Sequence, residues 1–154
     1  MKKMNEPVTF FRGEHYFLSN FYMAPVIYNG IAYRNNEAAF QAQKDLSRSG
    51  EFKDLTPNDA KRLGRRVKLR LDWEDVKTDI MYGIVKAKFE QNPELAAKLV
   101  ATGDAHLEEG NTWGDRTWGT VDGSGRNLLG LILMKVREEL GRKSEDHMEE
   151  AGTL

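Results

Sequence analysis

The segment Asn36–Lys44 reads NEAAFQAQK, and the interpretation of the whole chain starts from it. On a helix, which turns about 100° per residue, Glu37, Gln41 and Lys44 fall within roughly 60° of one another. A carboxylate, an amide and an ammonium on one face of a rigid element form a candidate wall of an active site. The same spacing is also typical of a solvated helix face with a charge pair, so the rest of the chain must decide between the two.

The opposite face of this predicted helix carries apolar side chains that can pack behind it. Ala39, Ala42 and Leu46 project from that face. Asn35 or Asn36 is the expected cap, because a short side-chain oxygen accepts a hydrogen bond from a free amide of the first turn. The segment is therefore expected to be an amphipathic helix whose polar side meets either a ligand or solvent.

Length and composition limit the class of protein. The chain has 154 residues, of which 40% are hydrophobic and 31% charged, as is typical of one globular domain with a sizeable core. It contains no cysteine, which excludes disulfides, thiolate metal sites and a cysteine nucleophile. No apolar run approaches the roughly 18 residues of a membrane helix, and the amino end lacks a signal-peptide pattern, so we expect a cytoplasmic location.

The charge distribution bears on the partners of the protein. A formal net charge of −1 argues against a protein that coats nucleic acid by bulk electrostatics. The run Lys61–Arg70, KRLGRRVKLR, is nevertheless locally basic. Such a run is usually a solvated helix-and-loop surface, but it also suits an anionic substrate such as a phosphate ester and leaves a nucleic-acid partner open.

Turn and cap signals divide the chain into short elements. Asn29-Gly30 lies between two strand-like runs and predicts a hairpin, because both residues accept positive φ. Thr56-Pro57-Asn58-Asp59 predicts a helix start. Asp72 is expected to cap a scaffold helix from Trp73 to about Gln91. The other expected elements are strands over Val8–Phe11 and Ala105–Glu109, a flexible break over Ser47–Gly50, a helix over Glu94–Ala101, and a final helix over Leu128–Leu140 that Asn127 caps and Gly141 ends.

Two aromatic segments are candidates for ligand binding. In Phe17–Tyr22, the rings either pack in the core around a turn or stack on a base while Asn20 holds a ribose or amide edge. Gly110–Asn127 has five glycines and two tryptophans. A loop of this length is usually functional or disordered, and the tryptophans disfavour disorder. Its end at Gly123–Asn127 is either a phosphate-cradling turn or a simple junction with the next helix.

A series of short motifs follows one another over residues 8–140. In chain order they are Phe11-x-Gly13, Phe17-Leu18-Ser19-Asn20-Phe21, Glu37-x-x-Phe40-Gln41-Ala42-x-Lys44, Trp73-x-x-Val76-Lys77, Ala87-Lys88-Phe89-x-Gln91-Asn92-Pro93-Glu94-Leu95, Thr102-Gly103-Asp104, Trp113-Gly114-Asp115, Trp118-Gly119, Asn127-x-Leu129-Gly130 and Leu133-Met134-x-Val136-Arg137. In this pattern the chain resembles the NADAR family, also called YbiA-like. The resemblance implies a single, mostly helical α+β domain over residues 8–140 with a small antiparallel β component, and flexible termini at 1–7 and 141–154.

The resemblance also implies an enzyme that hydrolyses N-glycosidic bonds. Its expected substrates are ADP-ribose-like compounds or riboflavin-pathway ribosylamines, and some family members remove ADP-ribose from guanine. The expected partner is thus a nucleotide-like small molecule or ADP-ribosylated guanine in nucleic acid, with no membrane and with an oligomeric state that the sequence leaves open. A non-catalytic ADP-ribose-binding module and a purely structural protein are the alternatives.

This chain differs from the family pattern at one position beside the motif glutamate. The family often has histidine there, whereas this chain has Ala38. A side chain at that position points about 100° away from Glu37 on a helix. We therefore expect the difference to affect the choice of substrate and not the cleavage of the bond.

Three residues are the expected catalytic groups. Cleavage of an N-glycosidic bond develops positive charge on the ribosyl carbon and negative charge on the departing nitrogen, so Glu37 is expected in an acid/base or electrostatic role. Lys44 has three open roles: proton donor, phosphate ligand, or nucleophile that forms an imine, which requires a neutral amine. Asp115 is the second candidate acid, and a local loop cap is its alternative role.

The remaining candidates are binding residues. The substrate-binding set is Arg12, Gly13, Asn20, Phe21, Gln41, Trp113, Trp118 and Asn127. Either loop tryptophan stacks on the base or anchors the loop in the core. The histidines His15, His106 and His147 are isolated in the sequence, so neither a metal nor another cofactor is expected.

Overall fold

The structure is a computed structural model that describes the backbone of residues 5–152 and the side chains of residues 5–143. Its elements are a 3₁₀ helix at Gly13–Leu18, strands β1 (Met23–Tyr28) and β2 (Ile31–Asn35), helix α1 (Asn36–Ala42), a 3₁₀ helix at Leu46–Phe52, and helices α2 (Pro57–Gly64), α3 (Trp73–Gln91), α4 (Pro93–Ala101) and α5 (Leu128–Gly152). The predicted mostly helical α+β class is confirmed. Among the described helices, none combines the length and the apolar character needed to cross a membrane.

The described chain separates into two compact units. Arg12–Pro93, here called the Glu37 unit, contains both strands and α1 to α3. Residues 5–11 and 94–152, here called the glycine-loop unit, contain most of α4 and all of α5.

In the Glu37 unit, β1 and β2 form the antiparallel hairpin that the sequence predicts. Asn29 has φ 49° and Gly30 has φ 79°, in the left-handed region that these two residue types accept most readily. Val26 pairs with Tyr33 across the hairpin, and both are buried. The register shifts just before Val26, where Pro25 has no amide hydrogen to donate. The hairpin leads directly into α1.

Helix α1 is buried along its whole length. The Asn35 side chain accepts a 2.8 Å hydrogen bond from the Ala38 amide, so Asn35 is the cap. All seven residues of the helix are buried, and the helix contacts α2, α3 and both strands. The polar side chains of Glu37 and Gln41 therefore lie inside the unit, which excludes the solvated-face interpretation for them.

The end of α1 differs from the prediction. The helix ends at Ala42, two residues before Lys44. The chain turns once more there, because the Lys44 amide donates a 3.1 Å hydrogen bond to the Gln41 carbonyl. Leu46, which was expected to pack behind the helix, is 55% exposed because the chain has left the helical path before reaching it.

The segment after Lys44 is ordered as a 3₁₀ helix, and the prediction of a flexible break over Ser47–Gly50 is wrong. The Asp45 carboxylate accepts a 3.2 Å hydrogen bond from the Ser47 amide and so caps the first turn. Phe52 at the other end is completely buried. A cap at one end and an apolar anchor at the other thus fix a short segment whose composition is otherwise polar.

The predicted cap at Thr56 is confirmed, as the one at Asn35 is. The Thr56 hydroxyl accepts a 3.3 Å hydrogen bond from the Asp59 amide at the start of α2. Helix α3 begins at Trp73 as predicted, but the Asp72 side chain does not cap it. That carboxylate accepts 2.6 and 3.0 Å hydrogen bonds from the Arg70 guanidinium instead, since a bidentate charged pair is stronger than a single cap bond.

In the glycine-loop unit, the two predicted strands reduce to one parallel bridge. Val8 pairs with Leu107, and both are buried. The Val8 amide donates to the His106 carbonyl, and the Glu108 amide donates to the Val8 carbonyl, each at 2.8 Å. The prediction of two strands is therefore wrong, because the two segments pair only through this isolated bridge.

Helix α5 is longer than predicted. Its buried side consists of Leu129, Ile132, Leu133 and Val136, as the periodicity indicates. It does not end at Gly141 but continues to Gly152, so residues 141–152 of the expected flexible terminus are helical. A single glycine costs only about 1 kcal/mol in a helix, and an ion pair between Arg142 and Glu138 spans this position. Residues 1–4 and 153–154 lie outside the described residues.

Candidate active site

Glu37 is the buried acid of the Glu37 unit. It lies in the first turn of α1, and only 7% of the residue is exposed. Its carboxylate Oε1 accepts a 2.8 Å hydrogen bond from Gln41 Nε2, one turn along the helix. Its backbone amide donates a 3.0 Å hydrogen bond to the Asn20 carbonyl, which ties the start of the helix to the Phe17–Phe21 segment. The acid is thus held in one orientation, where low local dielectric strengthens its interactions with charge.

Lys44 is a partly buried amine within the electrostatic range of Glu37. Burial is the main cause that lowers the pKa of Lys44 below its ordinary value, and the Glu37 carboxylate acts in the opposite direction. Three cations act in the same direction as burial: Arg65, Lys61 and Lys77. A lowered pKa increases the fraction of neutral, nucleophilic amine near neutral pH.

Aromatic rings line the surroundings of these two groups. The Lys44 ammonium lies 5.8 Å from the centroid of the Trp73 ring, and the Phe40 ring lies 5.0 Å from that of Trp73. The Lys61 ammonium lies 5.5 Å from the Phe21 ring centroid. Phe40 and Trp73 are buried, whereas the half-buried Phe21 ring offers an apolar face against which a sugar or a base can pack.

An open groove begins at Lys44. It has a volume of about 450 Å³ and is lined by residues 44–47 and 68–72. Lys44 is part of this lining, and Glu37 is not. The amine is thus the accessible member of the acid–amine pair.

Gln41 is positioned by the close packing of α1 against α2. A Cβ atom added to Gly64 would lie 2.0 Å from Gln41 Oε1, so a larger residue at this position would displace the Gln41 amide. Gln41 Nε2 bonds to Glu37, whereas its Oε1 is buried without a hydrogen-bond partner among the described residues. A buried carbonyl oxygen without a donor is a natural acceptor for a ligand hydroxyl, and substrate binding by Gln41 stays a prediction.

Asn20 is buried, and its carboxamide is engaged within the unit. Asn20 Oδ1 accepts a 3.4 Å hydrogen bond from Asn36 Nδ2, and Asn20 Nδ2 donates to Met81 Sδ at 3.4 Å. Phe21 follows it, half-buried, next to Lys61. Asn20 and Phe21 were both expected to bind the substrate, and the Phe21 ring is therefore the more available of the two.

Arg12 and Gly13 lie at the start of the first 3₁₀ helix. Arg12 is exposed and occupies the position that precedes this helix. Gly13 has φ 56°, so a side chain at this position would strain the backbone. Their predicted role in substrate binding stays a prediction.

Lys88 is a residue that reasoning from the sequence did not single out. It lies on α3, which was interpreted as scaffold, and is 1% exposed. Its ammonium donates hydrogen bonds to the carbonyl oxygens of Phe17 (2.6 Å) and Ser19 (3.1 Å), and burial lowers the pKa of Lys88 to about 7. The sequence did indicate that Lys88 is buried, because it follows Met81 and Ile84 at helical spacing on the apolar stripe of the helix.

Asp115 holds the glycine-rich loop of its own unit. Its Oδ1 accepts hydrogen bonds from the amides of Thr117 (3.0 Å) and Trp118 (2.9 Å). The Asn111 carboxamide in turn accepts a hydrogen bond from the Asp115 amide and donates one to its carbonyl. The alternative role of Asp115 as a loop cap is thus present, and its catalytic role stays a prediction.

The other predicted residues of this loop are in contrasting environments. Trp113 is 61% exposed, whereas Trp118 is half-buried. Asn127 is buried, and its carboxamide accepts from the Glu109 amide at 3.0 Å and donates to the Leu107 carbonyl at 2.9 Å. Asn127 therefore uses its side chain to hold the loop and not to cap α5.

The fold is of the α+β class. Its Glu37 unit carries a buried carboxylate and a partly buried amine, two groups that enzymes use for acid–base and nucleophilic catalysis. The NADAR domain family model matches residues 9–141, and the chain belongs to this family.

Individual relatives cover much of the chain. N-glycosidase YbiA of Escherichia coli (strain K12) is 43% identical over 128 residues, which are 79% of this chain and 79% of that protein. Riboflavin biosynthesis protein VVA0006 of Vibrio vulnificus (strain YJ016) is 41% identical over 145 residues, 89% of this chain. The chain spans only 39% of the length of that second relative. The NMR structure of the E. coli protein YbiA matches with a TM-score of 0.81 and 38% identity, over 94% of this chain and 91% of that one.

Proposed function

We propose that this protein is an N-glycosidase. It hydrolyses the bond between a ribosyl carbon and a base nitrogen in an ADP-ribosylated guanine or in a phosphoribosylamine intermediate of riboflavin synthesis. The names of the relatives, N-glycosidase and riboflavin biosynthesis protein, support this class of reaction. The observation that carries the proposal is the buried carboxylate of Glu37, whose charge acts on Lys44, an amine whose pKa is lowered by burial. A cytoplasmic location is part of the same proposal.

Glu37 acts on the charges that develop as the bond breaks. The ribosyl carbon gains positive charge, and the carboxylate stabilises it more strongly in a buried site than in water. Gln41 keeps the carboxylate oriented through its 2.8 Å hydrogen bond. The acid thus needs no reorientation as the transition state forms.

Lys44 acts as the nucleophile. Its neutral Nζ bonds to the ribosyl carbon while the base departs with the electron pair of the broken bond. Glu37 takes the proton that Nζ loses and delivers it to the departing nitrogen. The ribose ring then opens to an imine with Lys44, and water hydrolyses the imine to release the sugar and restore the amine.

The test compares both substrate types in the wild type and in Glu37→Gln. We expect turnover of one type, and a loss of kcat of about 10²–10⁴-fold in the variant, the usual contribution of a general acid or base. Glu51→Gln is the matched control, because Glu51 is an exposed partner of Arg48. Tight ADP-ribose binding without product, unchanged by Glu37→Gln, would instead identify a non-catalytic binding module.

Borohydride reduction during turnover tests the nucleophile. The imine predicts that substrate mass becomes attached to Lys44 after reduction and peptide mapping. An unmodified Lys44 under productive turnover would leave only its roles as proton donor or phosphate ligand.

A further inference from the structure

Some cations of the basic run Lys61–Arg70 have an acidic partner in the structure, and others do not. It contains six lysines and arginines. Arg62 pairs with Asp59 at 3.1 Å, and Arg70 pairs with Asp72 at 2.6 Å. Among the described residues, neither Lys61 nor Arg65 has a carboxylate oxygen within 4.0 Å. The run is therefore not one uniform basic surface.

Lys61 and Arg65 lie beside the contact between α2 and α1. Ala60 and Gly64 form the buried side of α2, and Gly64 packs against Gln41. Lys61 and Arg65 each follow one of these two buried residues, so they share one edge of the contact, one helical turn apart. Among the described residues, Arg66 and Lys68 of the run also lack a carboxylate partner, but Lys61 and Arg65 are the two that flank the helix carrying Glu37.

One ring contact and the electrostatic influence of two charges relate this edge to the acid–amine pair. The Lys61 ammonium lies 5.5 Å from the Phe21 ring centroid, and Phe21 directly follows the residue whose carbonyl binds the Glu37 amide. The charges of both Lys61 and Arg65 also reach Lys44. The charges of Lys61, Arg65 and Lys77 therefore all act on Lys44, and the Glu37 carboxylate acts on it in the opposite direction.

We propose that Lys61 and Arg65 form an anion site that binds a phosphate group of the substrate beside Lys44. The location of the reacting sugar in this inference rests on the proposed function. Unbalanced cations repel one another, and a phosphate relieves that repulsion. The arginine provides a planar fork of donors for phosphate oxygens, and the lysine provides a point charge.

The phosphate group of the substrate can be a terminal monoester or part of a pyrophosphate. The affinities for the corresponding inorganic ions distinguish these two substrate types. Calorimetry with inorganic phosphate and with inorganic pyrophosphate measures each affinity directly on the full chain. Preference for phosphate indicates a ribose monophosphate, and preference for pyrophosphate indicates an ADP-ribose-type ligand. Binding of neither ion in the low millimolar range or below would overturn the proposal.

Single and double substitutions identify the residues. Lys61→Gln and Arg65→Gln should each weaken binding of the preferred ion roughly tenfold, as loss of a charged hydrogen bond does. Arg66→Gln is the matched control, because Arg66 is the adjacent exposed arginine and removes the same charge. An equal loss in Arg66→Gln would show a general basic surface that attracts any polyanion, including nucleic acid, and would overturn the assignment.

Kinetics separate this inference from the proposed function. If the enzyme cleaves a phosphorylated substrate, Lys61→Gln and Arg65→Gln should raise KM by about the factor seen in ion binding. Cleavage with an unchanged KM would overturn the anion site and leave the N-glycosidase intact. Ion binding that depends on both residues, without any cleavage, would uphold the site and refute the enzyme.

Discussion

Gln41 Nε2 donates a 2.8 Å hydrogen bond to Glu37 Oε1, and both side chains are buried on α1. The bond joins two residues one helical turn apart and fixes the orientation of the acid. Its geometry depends on a third residue, because Gly64 of α2 leaves just enough room for the Gln41 amide. The orientation of the acid is therefore set by helix packing and not by α1 alone.

Gly64→Ala should disturb this arrangement. A new Cβ would lie 2.0 Å from Gln41 Oε1, and we expect overpacking to cost about 1–3 kcal/mol in the free energy of unfolding. Turnover should fall with it, because the Glu37 carboxylate loses its fixed orientation. Gly50→Ala is the control, since no atom lies within 4 Å of its added Cβ. Urea unfolding and steady-state kinetics measure both effects, and equal behaviour of the two variants would contradict the prediction.

Lys44→Arg should distinguish a nucleophilic role of Lys44 from a purely electrostatic role. A guanidinium stays protonated and cannot form the imine, so we expect no borohydride-trapped adduct and a loss of turnover of at least about 100-fold. Pyrophosphate affinity should change little, because the positive charge remains. Turnover close to that of the wild type would exclude covalent catalysis by this residue. Peptide mass analysis and calorimetry on one preparation provide both readouts.

Arg65→Gln should shift the pH dependence of the reaction. The Arg65 charge lowers the pKa of Lys44, after burial and against the opposing Glu37 carboxylate. Removal of this cation therefore raises the pKa, so that a higher pH is needed to form the neutral amine. The ascending limb of kcat against pH should move to higher pH, while Arg66→Gln leaves it in place. An unchanged limb, or a shift to lower pH, would contradict the assignment of Lys44 as the nucleophilic amine.

Lys88→Met should change how stability depends on pH. Burial lowers the pKa of Lys88 from 10.5 to about 7, so between these values the unfolded chain binds more protons than the folded one. The free energy of unfolding of the wild type should therefore rise with pH across this window, by up to about 1.4 kcal/mol per unit. Below pH 7 the cost of burying the charge is fully present.

The variant should lack this component, because it has no proton to lose. Urea unfolding at several pH values from 7 to 10 compares the two proteins. Parallel profiles would show that the carbonyls of Phe17 and Ser19 keep the ammonium charged throughout. In that case Lys88 is a permanent cation that anchors the Phe17–Phe21 segment.

Asp115→Asn should distinguish an acid from a cap. Asparagine keeps an oxygen that can accept from the Thr117 and Trp118 amides, so the loop should remain folded. If the charge serves the reaction as an acid or base, turnover should fall by about 10²–10⁴-fold at unchanged stability. Asp115→Ala should lower both turnover and stability. A fully active Asp115→Asn would leave only the capping role.

Local signals in the sequence were reliable where one residue governs its neighbours. Asn29-Gly30 predicts its turn because positive φ is a property of those residues themselves. Thr56 predicts its cap because the amide that it binds lies three residues away. The predicted cap at Asp72 is wrong. Its carboxylate binds the nearby Arg70 guanidinium, which is a stronger partner than the helix amides.

The sequence by itself determined the family, the hairpin, the helices and the spacing of Glu37, Gln41 and Lys44, because these depend on residue types and short separations. Only the tertiary structure decided that the polar face of α1 is buried, that Gly64 packs on Gln41, that Lys88 is a buried amine, and that Lys61 and Arg65 have no acidic partner among the described residues. Burial, dielectric and pairing of charges depend on neighbours that are distant in the chain, and folding alone brings those neighbours together.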